Sequence, residues 1–115
     1  MNLKIKIANR EVPVQWDNQS AVNAIMNKLS ANKRIPMAKN GDRQIGELGI
    51  SIPRNDRALI VKPGDIAVMD GSKLVIFAAE DDVSCTKLGH ISGWSESQIK
   101  NTLTPGGITV ELFEK

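Results

Sequence analysis

Lys62-Pro63-Gly64-Asp65-Ile66-Ala67-Val68-Met69-Asp70-Gly71-Ser72-Lys73-Leu74-Val75-Ile76-Phe77-Ala78 is the stretch that decides the fold. Lys62 to Asp65 has proline second and glycine third, the composition of a type II turn, whose third position takes a positive φ. Ile66 to Met69 follows as a strand, and Asp70-Gly71 opens another turn. Leu74 to Ala78 is the least polar segment of the chain and reads as a central strand. Strand and turn thus alternate at short intervals, which is the grammar of a β-rich domain.

The same grammar extends in both directions. Leu3, Ile5 and Ile7 share one face of an opening strand, with Lys4 and Lys6 on the other. Asn9-Arg10 reads as a tight turn, and Glu11 to Trp16 as the returning strand of a hairpin. Ala21, Val22, Ile25, Met26 and Leu29 recur at helical spacing behind Asp17, Asn18 and Ser20, which predicts an amphipathic helix from about Gln19 to Leu29. Ser30-Ala31-Asn32-Lys33-Arg34 ends it. Ile35 to Ala38 is a short extended segment, and Asn40-Gly41 is a turn dipeptide. Ile45 to Ile52 reads as a strand bent at Gly46 and Gly49, and Pro53 to Arg57 as a charged loop. Downstream, Glu80-Asp81-Asp82 reads as an acidic loop and Lys87 to Ile91 as a short strand. Ser95-Glu96-Ser97-Gln98 is a capping box for a short helix that carries Ile99 and Leu103. Pro105-Gly106-Gly107 stops that helix, and Ile108 to Phe113 closes the chain as an alternating strand. Many short strands, Gly- and Pro-rich turns and only two short helices predict a mainly β domain, a closed or nearly closed barrel. Closure also removes the exposed edges that an open sheet of this size has to protect.

Bulk properties set the limits. A chain of 115 residues with 41% hydrophobic residues is one domain with one real core. The net charge of +2 is far from the concentrated basic stripe of a nucleic-acid binder. Cys85 is the sole cysteine, so no internal disulfide forms. The N-terminus runs straight into a strand pattern rather than a charged stretch and an apolar run, and no segment reaches the roughly 20 apolar residues of a membrane span. The expected location is cytoplasmic, with no membrane partner.

Four segments, in this order, resemble the small cyclophilin-like proteins of bacteria and archaea: Gly41-Asp42-Arg43-Gln44-Ile45-Gly46-Glu47-Leu48-Gly49, Lys62-Pro63-Gly64-Asp65-Ile66, Leu74-Val75-Ile76-Phe77 and Lys87-Leu88-Gly89-His90-Ile91. With the opening hairpin and two capped helices, the resemblance covers nearly the whole chain. It implies a distorted barrel of about eight strands closed by two short helices, like that of the peptidyl-prolyl isomerases called cyclophilins. Cyclophilins set an arginine beside a proline pocket lined by phenylalanine and glutamine. This chain has no Phe-His-Arg run, aromatic residues are 3% of it, and Met69 stands where the small family often has an aromatic. The resemblance therefore carries over the fold and no catalytic residue.

Prolyl isomerisation needs an apolar pocket that twists an amide over a barrier of about 18–20 kcal/mol, with a donor aimed at the prolyl nitrogen. Arg54 and Arg57 are the candidate donors, with Arg43 third; two arginines in a solvated loop are the competing reading. Met37, Met69, Phe77 and Leu88 are the side chains expected to line such a pocket. His90, the sole histidine, has no orienting partner adjacent in sequence, and Cys85 five residues before it faces the other way on a straight strand. A bystander thiol is the simpler reading. Trp94 is either the hydrophobic staple of the second helix, against Ile99, or an aromatic contact at a barrel mouth; Trp16 is core or interface. Glu80-Asp81-Asp82 lacks the spaced ligands of a calcium loop, and no zinc spacing, P-loop or dinucleotide fingerprint occurs, so neither metal nor cofactor is expected. Lys33, Arg34, Lys39, Arg43, Arg54, Arg57 and Lys62 concentrate positive charge mid-chain, yet Asp42, Glu47 and Asp56 interrupt it and no aromatics interleave. Three functions stay open: a module that binds a small ligand or peptide segment, a peptidyl-prolyl isomerase, or a structural protein that forms a homodimer through an exposed apolar patch.

Overall fold

The computed structural model describes residues 2–29 and 32–115. The expected helix stop at Ser30-Ala31 falls outside them. In chain order the elements are β1 (Leu3–Ile7), β2 (Arg10–Val12), β3 (Val14–Trp16), α1 (Gln19–Lys28), β4 (Lys33–Lys39), β5 (Arg43–Glu47), β6 (Arg57–Val61), β7 (Asp65–Met69), β8 (Lys73–Phe77), β9 (Asp81–Ile91), α2 (Glu96–Leu103) and β10 (Gly107–Glu114). The sheet runs β2-β1-β10-β4-β5-β8-β7-β9-β3, with β6 off this path and paired to β9.

The two ends of that path are the same piece of chain. β2 pairs with β1, and β3, one residue later, pairs with β9. The expected single return strand from Glu11 to Trp16 is thus broken at Pro13. Proline cannot donate to a ladder, so the chain switches partners there. Across the seam, Trp16 Nε1 donates to Leu3 O at 2.8 Å, and Ser92 N to Pro13 O at 2.9 Å. If β2 and β3 are taken as one kinked strand, eight strands close the barrel and β6 lies outside it.

Local chemistry explains the turns. Asp65 N donates to Lys62 O at 3.0 Å across Gly64, which has φ of +92°, so the type II turn forms as its composition predicts. Asp70 and Gly71 have φ of +56° and +72°, the type I′ geometry whose twist matches a hairpin. The first turn is one residue earlier than expected, at Ala8 and Asn9 (φ of +51° and +69°), and Arg10 already belongs to β2.

Strand phase builds two apolar layers. Ile66, Val68, Leu74 and Ile76 face the barrel interior, where Ile5, Ile7, Ile35, Leu88, Val110 and α1 residues Val22 and Ile25 complete the main core. Their neighbours Ala67, Val75 and Phe77 point outward, yet they too are buried. The cover comes from an arm that the sequence reading missed. β9 begins at Asp81, not Lys87, so Asp81 and Asp82 are strand rather than loop, and β6 pairs with its first half. Arg57 accordingly starts a strand instead of ending a loop, and β5 stops at Glu47 where a strand to Ile52 was expected. A bulge makes the bend possible: Ile66 pairs with Gly89 and Ala67 with Lys87, leaving Leu88 as the extra residue. Beyond it, Val61, Leu59, Val83 and Cys85 fold over the outer face as a second cluster. None of the described helices is long and apolar enough to cross a membrane.

Candidate functional site

Arg57, Leu59, Cys85 and Lys87 lie on one face of the arm, since Arg57 pairs with Cys85 and Leu59 with Val83, two residues along. That face meets the segment entering α1. Leu88 O, freed by the bulge, accepts from Asp17 N at 2.8 Å and Asn18 N at 3.2 Å, which pins the helix start against β9. Asn18 caps the helix, its Oδ1 accepting from Ala21 N at 3.1 Å. Between arm and helix start lies a concavity of about 410 Å3 lined by Asp17, Asn18, Gln19, Asn55, Arg57, Leu59, Cys85 and Lys87.

Its fourth wall, Asn55, belongs to the loop from Leu48 to Asp56, which is tied down along its length. Leu48 and Ile52 are buried plugs, and their amides donate to Ser72 O at 2.8 Å and Gly71 O at 2.9 Å. Lys28 Nζ donates to Ser51 O. Thr86, itself buried, accepts from Asn55 N at 3.1 Å and donates to Asp56 Oδ1 at 2.8 Å. Arg54 completes the knot with Asp56 at 2.9 Å and Asp70 at 3.4 Å. Burial alone would raise the Asp56 carboxyl, but the Thr86 hydroxyl, the Arg54 guanidinium and the Asp70 amide together hold it below the ordinary range.

Charges around the concavity are unevenly matched. Lys87 Nζ lies 3.5 Å from Asp65 Oδ1 and 4.0 Å from Asp17 Oδ2, and His90 Nδ1 lies 3.2 Å from the same Asp17 oxygen. Arg57 makes no ion pair among the described residues. Burial pushes the Cys85 thiol up, and the Asp56 and Asp65 charges add to the effect, so it stays a thiol at neutral pH.

The two candidate arginines therefore separate. Arg57 lines the concavity, whereas Arg54 is spent on Asp56 and Asp70. The expected lining residues are dispersed. Met37 and Leu88 are buried in the main core, and Phe77 is buried in the outer cluster. Met69 packs at the edge of that cluster, where Arg43 Nη1 donates to its Sδ at 3.7 Å. His90 finds in Asp17 the partner that sequence adjacency lacked. Trp94 packs against the main core just before the Ser95 cap, with Arg10 over its ring at 5.3 Å. No group of three or more His, Cys, Asp or Glu side chains suited to a metal occurs among the described residues. Asn55, Leu59, Lys87 and the Asp17-Asn18-Gln19 run were not anticipated as site residues. One hint was present: Asp17 and Asn18 stand at the expected helix start, where a fold leaves backbone N–H groups unspent.

The chain is similar in structure to the hypothetical protein AF2241 from Archaeoglobus fulgidus, known from a solution structure. The TM-score is 0.64 at 17% identity, over 100% of this chain and 95% of that one, a likeness of fold. No curated protein matches the sequence. The sequence pattern of the Cyclophilin-like family matches residues 5–112, nearly the whole chain, and the chain belongs to that family.

Proposed function

We propose that this protein is a binding module that holds a small ligand or a peptide segment in the concavity beneath the β6–β9 arm. One observation carries the reading: Arg57, unmatched by a carboxylate among the described residues, stands beside Leu59 and Cys85 in a recess of about 410 Å3. That volume is within the roughly 300–1,000 Å3 of ordinary ligand pockets, and its wall, mostly polar with Leu59 and Cys85 as the apolar part, suits a ligand that carries polar or charged groups. Nothing beside it is poised as a nucleophile, since the Cys85 thiol is pushed up by burial.

Peptidyl-prolyl isomerisation is the second reading, favoured by a guanidinium held on a strand beside an apolar side chain. The lining weighs against it. Asp17, Asn18, Gln19, Asn55 and Lys87 make most of the wall polar, where a twisting amide needs apolar surroundings. A homodimer has less to rest on: Ile60, at 60% exposure, is the one exposed large hydrophobic side chain among the described residues.

Titration of isotope-labelled protein with proline-containing peptides tests both readings in one NMR experiment. Amide shifts confined to residues 17–19, 55–59 and 85–87, without faster cis/trans exchange of the peptide, are the expected result. Exchange accelerated by the native protein and lost in Arg57→Ala would make it an isomerase. Shifts elsewhere would move the site.

A further inference from the structure

We infer that the ligand of this concavity presents an oxyanion, a carboxylate or phosphate, to Arg57; this rests on the proposal that the concavity is a binding site. The charges in the wall do not balance. Of the three charged side chains in the wall, Asp17 and Lys87 are accounted for by each other, by His90 and by Asp65. Arg57 has no such partner among the described residues, and its neighbour in sequence cannot supply one. The Asp56 oxygens are taken by Thr86 and Arg54. The first turn of α1 adds no acidic residue to the opposite wall.

Geometry favours the oxyanion over other partners for the site. The Arg57 backbone is fixed in the β6–β9 ladder, so its side chain starts from a set position. Leu59 and Cys85 flank it on the strand face, while Arg57 itself is exposed, so its pairing with an oxyanion is open to screening by salt. A guanidinium is a planar fork that takes two oxygens of a carboxylate or phosphate at once. A neutral carbonyl would fill one prong and leave the charge unmatched, and a cation would be repelled by both Arg57 and Lys87. The Asn55 and Gln19 amides in the wall can donate as well.

The test compares N-acetyl-Ala-Ala-Pro-Ala as the free acid with the same peptide as its C-terminal amide, and with inorganic phosphate. Each is titrated into labelled protein while the amides of Asn55, Arg57, Leu59, Cys85 and Lys87 are followed. The expected result is binding of the acid about tenfold tighter than the amide, a margin of about 1.4 kcal/mol. Raised salt should reduce that margin. Arg57→Gln, checked for an otherwise native spectrum, should abolish it, while Lys39→Gln, at an exposed position of β4 that does not line the concavity, should leave it unchanged. Phosphate that shifts the same amides without any peptide binding supports a free oxyanion as ligand and removes the peptide. Equal binding of acid and amide at these residues would overturn the oxyanion while leaving the binding site standing. Silence of these amides towards all three probes would overturn both.

Discussion

Thr86→Val is the substitution that most directly tests how the site is held. Valine has nearly the shape of threonine, and Thr86 is 2% exposed, so the change removes hydrogen bonds without opening a cavity. Two bonds go: the one from the hydroxyl to Asp56 Oδ1, and the one it accepts from Asn55 N. A bond to a charged group is worth about 1.5–3 kcal/mol and an ordinary one about 1 kcal/mol. Asp56 keeps Arg54, and its side chain is 13% exposed, so water recovers part of the loss. The expected cost is about 2–3 kcal/mol, a urea midpoint lower by roughly 1–2 M for a domain of this size. The cost also has a pH signature. The Asp56 carboxyl is held below its ordinary value, so its contribution is fully present above the ordinary carboxylate range and is lost as pH falls through the depressed value. The gap between native and variant protein should therefore narrow below about pH 4. Hydrogen exchange at Asn55 should rise in the variant while β7 and β8 stay protected. A midpoint shift worth less than about 0.5 kcal/mol, or a gap that widens in acid, would refute the clamp.

Other elements make their own predictions. Gly89→Ala puts a Cβ against Gln15 O and 2.9 Å from Trp16 Cα, all backbone at the seam, so it should cost about 2–3 kcal/mol in thermal or urea unfolding. Gln44→Leu should cost about 2 kcal/mol in the same assay, because the Leu103 and Pro105 carbonyls lose their donor, while removal of Oε1, buried without a partner among the described residues, offsets only part of the loss. Gln44→Glu should instead lose about 3 kcal/mol or more at pH 7 and recover in acid, as the buried carboxylate faces those carbonyls. Cys85 should react slowly with iodoacetamide at pH 8 and quickly once urea unfolds the chain. Because its folded pKa is raised, the stability it contributes is intact below the ordinary thiol value and should be lost as pH climbs past about 8.5.

Barrel and turns were legible because single residues fix them. Pro63 and Gly64 dictate one turn, Asp70-Gly71 another, and the Ser95 cap starts α2 where Ser95 Oγ accepts from Gln98 N at 3.1 Å. The outer arm was not legible, for reasons of pattern. β6 offers Leu59, Ile60 and Val61 beside charged and turn residues, too short a run to show a period. The first half of β9 carries Asp81, Asp82 and Ser84 towards solvent and only Val83 and Cys85 inward, and it reads as a polar loop. Gln44 shows a related failure of phase. A strand with inward isoleucine places Ile45 in the core, but Ile45 packs outside and Gln44 points in, opposite Ile76. Its amide there holds the end of α2, a tertiary reason that no local pattern carries. The site was hidden for the same cause, since Arg57 and Cys85 become neighbours only through the arm's register.

The arm also bears on which function the family fold can serve in this chain. Ala67, Val75 and Phe77 make an outward apolar face on the barrel, the kind of surface an apolar groove needs. Here all three are 0–1% exposed, because Leu59, Val61, Val83 and Cys85 already cover them. Burying side chains of this size is worth about 1.5–3 kcal/mol each, so the arm cannot lift to admit an apolar ligand without giving up several such contacts. What stays open is the end of the arm, where the strand pair runs out past Leu59 and meets the start of α1. Polar groups gather there because a helix cap, a bulge carbonyl and a pinned loop converge on it, and among the described residues Arg57 is the charge in the wall left without an ion pair. The fold thus uses its outer apolar surface for stability and leaves a polar recess open, so, for the binding role we propose, an oxyanion, rather than a proline ring, is the probe to try first.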